Sequence, residues 1–104
     1  MTTEEEQARF LRCIGEPTRL RILKMLASGE KCVGEIVESL DKEQSLVSHH
    51  LRALKDCNIV VLRQEAQKIY YKLTDPALAE LVLRCEAIMK ELPLCQGTNG
   101  CDEN

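Results

Sequence analysis

Aromatic side chains are nearly missing from this chain. Its 104 residues include no Trp, one Phe and two Tyr. A core must therefore be assembled from Leu, Ile, Val and Ala. Long apolar runs are absent too. No stretch approaches the ~18–20 residues of a membrane span, and the start Met1-Thr2-Thr3-Glu4-Glu5-Glu6 is acidic where a secretory signal is positively charged. The expectation is a cytoplasmic protein with no membrane partner. Six cysteines in that compartment do not announce a disulfide framework, so metal or redox chemistry is the better prior. There is no CxxC among them and no evident acid–base pair, which leaves a thiol-transfer enzyme or metal carrier without its motif. No enzyme activity and no small-molecule substrate are expected.

What the chain does have is an uneven charge distribution. The formal net charge is −3. Residues 1–16 carry −2, residues 17–41 are neutral, residues 42–72 carry +3 and also hold both histidines, and residues 73–104 carry −4. A duplex responds to local positive charge, so the middle segment is the candidate for contact with nucleic acid.

Apolar periodicity gives the elements. Phe10, Leu11 and Ile14 mark a first helix that ends near Gly15. Pro17 suits the first position of a second helix, whose apolar side is Leu20, Ile22, Leu23 and Leu26 and which Gly29 closes. Val33, Ile36, Val37 and Leu40 define a third helix of about two turns. The segment from Gln44 to Cys57 has two opposed stripes: Val47, Leu51 and Leu54 towards a core, and Ser45, Ser48, Arg52 and Lys55 outward. Ile59–Arg63 and Lys68–Leu73 read as a two-stranded hairpin. Without a Gly between them, a loop of about four residues over 64–67 is expected. Asp75-Pro76 then caps and opens a last helix, with Leu78, Leu81, Val82, Cys85, Ile88, Met89 and Leu92 in one stripe. So long a stripe exceeds what one small body can cover, and its remainder is a candidate dimer seam.

This order, with a helix-turn-helix followed by a hairpin, is the winged-helix plan: mostly α with a β-hairpin wing. It divides the chain into a winged helix-turn-helix over 1–92, for DNA binding and dimerisation, and a Cys-containing tail over 93–104. On that plan Ser45, Ser48, His49 and Arg52 face base edges, with Arg52 suited to guanine, and Gln44 is a further DNA contact. Lys42, Lys55, Arg63 and Lys68 are phosphate contacts that position the protein without reading sequence. The competing reading is a solvated helix face beside an ordinary hairpin.

Glu16-Pro-Thr-Arg-Leu-Arg-Ile-Leu23, Ser45-Leu-Val-Ser-His-His-Leu-Arg-Ala-Leu54 and Ile69-Tyr-Tyr-Lys-Leu73, in that order, resemble the signatures of the ArsR/SmtB family. The resemblance runs from about Phe10 to Leu92. It implies a winged-helix repressor that binds a palindromic double-stranded operator as a homodimer through its first and last helices and is released by metal or metalloid ions. It also places Val47–Cys57 in the recognition helix. The wing turn Gln64–Gln67 departs from the Gly- and Arg-containing turn usual in the family, which predicts little minor-groove contact there.

The effector expected from six soft thiols is a thiophilic ion: As(III), Sb(III), Cd(II) or Pb(II). Cys95 and Cys101, separated by a Gly-containing loop, can close on one ion; the alternative is a tail with two idle cysteines. Their spacing resembles the C-terminal thiol cluster of arsenite-responsive family members, with Leu94 where those carry a vicinal Cys. Cys57, at the end of the recognition segment, is the third candidate ligand; the resemblance to cadmium- and lead-responsive members supports its pairing with the tail. Cys32, Cys85 and Cys13 are weaker candidates. Cys32 matches the first Cys of the family's Cys-Val-Cys motif but Gly34 replaces the second. Cys85 falls in the apolar stripe and Cys13 could face a partner subunit. The zinc site on the last helix is rejected, since Asp75 matches and Ala77 stands where a His is needed. A thiol redox or persulfide switch on the same fold is the alternative mode of sensing.

Overall fold

A computed structural model describes residues 2–92. Five helices and three short strands follow in the order α1 Glu4–Ile14, α2 Pro17–Leu26, β1 Lys31–Cys32, α3 Val33–Leu40, α4 Gln44–Asp56, β2 Val60–Glu65, β3 Lys68–Leu73 and α5 Ala77–Glu91. Cys95 and Cys101 lie outside the described residues.

The helix starts follow from local chemistry. Thr3 and Glu6 form a reciprocal capping box: the Thr3 hydroxyl accepts from the Glu6 N–H and the Glu6 carboxylate accepts from the Thr3 N–H, both at 3.1 Å. Glu16 caps α2 by accepting from the Arg19 N–H at 2.9 Å, with Pro17 in the first turn. Asp75 Oδ1 accepts from the Ala77 N–H at 2.9 Å where α5 begins. α5 ends at Glu91, and Leu92, the residue before Pro93, has extended backbone as a following proline demands.

The end of α4 is a Schellman motif. Asn58 takes the left-handed conformation at φ 63°, its N–H donates to the Lys55 carbonyl at 2.9 Å, and the Ile59 N–H donates to the Leu54 carbonyl at 2.9 Å. Leu54 and Ile59, both fully buried, meet beneath it. This fixes Cys57 as the capping residue and turns the chain into β2.

The three strands pair antiparallel in the order β1-β3-β2. β2 and β3 match from Val60↔Leu73 out to Glu65↔Lys68, and β1 adds Lys31↔Tyr71 and Cys32↔Tyr70. Two expectations are corrected here. A third strand exists, and the hairpin turn is two residues rather than about four. Ala66 takes φ 57° to make that tight turn, a conformation an L side chain resists. The core lies between α2, α3, α4 and the base of the hairpin, with Ile22, Leu23, Ile36, Val47, Leu51, Leu54, Ile59 and Val60 fully buried. Leu78 and Val82 bring the first half of α5 onto it.

A candidate nucleic-acid interface with a thiol pair behind it

The two stripes of α4 are realised. Val47, Leu51 and Leu54 are buried, whereas Gln44, Ser45, Ser48, His49, Arg52 and Lys55 are all exposed. The helix is therefore anchored on one side and offers hydroxyl, imidazole, amide and cationic groups on the other. Its first N–H groups receive no side-chain cap, so they remain available to an outside acceptor. Lys42 is exposed in the turn before it. Gln44 and Ser48 share an open groove of about 790 Å³ with Lys68 of the wing and with Cys32, Glu35 and Glu38 of the α3 region. The structure thus brings together the recognition helix and one basic residue of the wing.

Arg63 is different. Its guanidinium is held by both oxygens of Glu30, Nε to Oε2 at 2.7 Å and Nη2 to Oε1 at 2.9 Å, while Nη1 donates to Glu65. It also lies 4.7 Å from the centre of the Tyr70 ring. The pairing pulls the Glu30 carboxyl below the usual carboxylate range and strengthens the arginine's hold on its proton. A phosphate would have to displace two carboxylates to use this cation.

The other edge of α4 faces α1 and the start of α2. His50 is buried there, and its Nδ1 accepts from Arg19 Nε at 3.1 Å, with Glu16 Oε1 at 3.7 Å. Accepting at Nδ1 requires that nitrogen to be unprotonated. Burial, above all, lowers the His50 pKa; Glu16 opposes the shift and Arg19 adds to it. Arg19 reaches further: Nη1 donates to the Cys13 carbonyl at 3.2 Å and lies 3.9 Å from Cys13 Sγ.

Cys13, from α1, and Cys57, from the cap of α4, converge. The Ala53 carbonyl accepts from the Cys57 N–H at 3.1 Å and from Cys13 Sγ at 3.6 Å. Burial pushes the Cys13 thiol up to about 11, and its hydrogen bond to Cys57 adds to the shift. Cys57, half-buried, belongs to the same apolar cluster. Cys32 is half-buried in the wing groove, its N–H donating to Glu35 at 2.9 Å. Cys85 is exposed on α5, its Sγ 3.9 Å from Met89 Sδ. Among the described residues no three His, Cys, Asp or Glu groups gather as a metal would need.

The sequence reading missed Glu16 and Arg19 as part of any site. A carboxylate before Pro17 and an arginine three residues later signal a capped helix start. Nothing in that spacing points to a histidine 31 residues further along.

The second half of α5 leaves an apolar face open. Ile88, Met89 and Leu92 are roughly half exposed, Leu83 before them is also exposed, and Leu11 of α1 is 48% exposed. No helix among the described residues is long and apolar enough to cross a membrane.

Residues 16–61 match the family model described as bacterial regulatory protein, arsR family. The chain is 40% identical over 88 residues to a probable mercury resistance operon repressor of Streptomyces lividans, covering 83% of this chain and 70% of that one. It is 30% identical over 78 residues to the arsenical resistance operon repressor of Staphylococcus aureus, covering 75% of each. A solved homodimeric winged helix-turn-helix domain from Mycobacterium bovis, a possible ArsR-family regulator, superposes with a TM-score of 0.76 at 29% identity, over 84% of this chain and 81% of that one. With its own winged helix-turn-helix now described, the chain belongs to the ArsR family of DNA-binding transcriptional regulators, and its fold is that of a regulator and not of an enzyme.

Proposed function

We propose that the protein is a homodimeric repressor that grips a palindromic operator with α4 and lets go when a thiophilic ion, As(III), Sb(III), Cd(II) or Pb(II), is bound by cysteine thiolates including Cys57. The observation that carries this reading is the position of Cys57. It caps the same helix that presents Ser45, Ser48, His49, Arg52 and Lys55 outward. An ion held there acts on the reading element itself. The mercury and arsenical resistance repressors among the relatives support an effector that is a soft ion.

On DNA, Arg52 and His49 face base edges while Lys42, Lys55 and the uncapped N–H groups of α4 meet phosphates. Lys68 adds a wing contact. The apolar faces of α5 and Leu11 join two copies, and Cys95 and Cys101 of the tail contribute to the ion. Two recognition helices must meet successive major grooves about 34 Å apart, so a small reorientation of each costs contacts on both half-sites. A coupling of about 1–3 kcal/mol weakens DNA binding by about 5–150-fold.

Cys57→Ser tests the reading by fluorescence anisotropy on a labelled operator under anaerobic conditions. DNA affinity without ion is expected to stay within about threefold of wild type, and release by arsenite or Cd(II) to be lost. Normal release by the variant would sink the assignment of Cys57.

A further inference from the structure

Cys13 belongs to a different helix from Cys57, 44 residues earlier in the chain, yet the two address one carbonyl oxygen. The Ala53 oxygen takes the Cys57 N–H at 3.1 Å and the Cys13 Sγ at 3.6 Å. Both belong to one apolar cluster within a single subunit. A cation faces Cys13: Arg19 Nη1 lies 3.9 Å from Cys13 Sγ, and the same guanidinium donates through Nε to His50 on α4 at 3.1 Å.

We infer that Cys13 and Cys57 form an intrasubunit dithiol clip for a trivalent arsenic or antimony species, and that Arg19 transmits its occupancy to α4 through His50. This rests on the reading of Cys57 as an effector ligand. It adds a thiol from the same subunit as Cys57, narrows the effector to trivalent arsenic or antimony, and gives the route to the reading helix.

The chemistry follows from the surroundings. Arsenite enters as the neutral acid As(OH)3, so the Arg19 charge does not repel it, whereas a bare divalent cation would meet that charge on approach. Each thiol exchanges its S–H bond for an As–S bond, and each proton leaves with a displaced hydroxide as water. As(OH)3 and two RSH thus give (RS)2As–OH and two H2O, with no change in oxidation state. The remaining hydroxide is a position that one of the two tail thiols, Cys95 or Cys101, can take. Arsenic inserted between the two sulfurs occupies the space in which Arg19 reaches Cys13. The guanidinium must then move, and its bond to His50 moves with it. Arg19 is a positioning residue in this scheme and touches no DNA.

The test uses the full chain, anaerobically, with arsenite as the probe and two readouts: sulfur–arsenic absorbance for binding and operator anisotropy for release. Cys13→Ala is expected to weaken arsenite binding at least tenfold while leaving ion-free DNA affinity within about threefold. If Cys57→Ser loses the response and Cys13→Ala keeps wild-type arsenite affinity, the clip is wrong and the assignment of Cys57 stands. If neither substitution changes the response, both readings fail together. A measurement on the unmutated protein guards against a folding defect in Cys13→Ala. Phenylarsine oxide condenses with two thiols and releases one water, so digestion and mass spectrometry should find the Cys13 and Cys57 peptides joined through one arsenic; its attachment to other cysteine pairs alone overturns the clip. Arg19→Lys is expected to keep arsenite affinity within threefold but to cut release to less than twofold, since lysine cannot hold Cys13 and His50 together. Full release by Arg19→Lys overturns the role of Arg19.

Discussion

The recognition helix and the wing share the positive segment over 42–72, yet they use their charge differently. Arg52 and Lys55 project from α4 with no carboxylate partner among the described ion pairs, whereas Arg63 is clamped by Glu30 and Glu65. The anchoring differs as well. α4 rests on three fully buried side chains, while Leu62 and Ile69 of the wing are about 40% exposed. Local net charge therefore overstates what the wing offers to DNA. What a duplex meets is the unpaired part of the charge: Arg52 and Lys55 on α4, Lys42 in the turn before it, and Lys68 and Lys72 on the wing.

The largest expected contrast is in stability. Leu54→Ala empties a fully buried position under α4 and should cost about 2–5 kcal/mol in urea unfolding. Leu62→Ala on the exposed part of the wing should cost no more than about 0.5 kcal/mol. Comparable losses would mean that the wing is as firmly built as the helix.

Next comes DNA binding. Arg52→Ala should lose about 1–3 kcal/mol, the worth of a bidentate contact to guanine. Arg63→Ala should change affinity by less than about threefold, because its charge is already spent on Glu30. Glu30→Gln combined with Glu65→Gln sharpens this point: freeing Arg63 from both carboxylates should steepen the salt dependence of binding by about one unit of log–log slope. An unchanged slope would show that Arg63 stays off the duplex even when unpaired.

A smaller effect is expected with pH. The folded pKa of His50 lies below its ordinary value near 6.5, so below that pH the unfolded chain takes up a proton that the folded one refuses. Stability is thus fully present above about pH 6.5 and is lost as pH falls towards the depressed folded value. His50→Gln should flatten this part of the urea midpoint against pH. If the variant follows the wild-type profile, another group is responsible. The smallest effect belongs to the wing turn. Ala66→Gly relieves a left-handed L residue, worth about 1–2 kcal/mol, against the roughly 0.5–1 kcal/mol of freedom that glycine loses. A net gain of about 0.5 kcal/mol is expected, and a loss would contradict the strain at Ala66.

Elements whose signal repeats along the chain were legible in the sequence. Val33–Leu40 and the two stripes of Gln44–Asp56 repeat with the helical period, and 3.6-residue patterning survives into the fold because one core sets it. The division of α5 into a covered half and an open half also followed from counting its stripe. What was not legible depends on pairs far apart in sequence. Arg63 meets Glu30 across 33 residues and Arg19 meets His50 across 31. β1 has two residues and so no period of its own. The tight turn could not be foreseen because Ala66 adopts a conformation its side chain disfavours, imposed by the pairing of Glu65 with Lys68. Cys57 was a candidate from its place at the end of α4, but only the fold sets Cys13 beside it.

The most direct test of ion-released DNA binding follows sulfur–ion absorbance and operator anisotropy together in one anaerobic titration with arsenite. Absorbance should grow to one equivalent per chain while DNA affinity falls by about 5–150-fold in step with it. Absorbance that saturates while the protein stays on its operator would contradict the account.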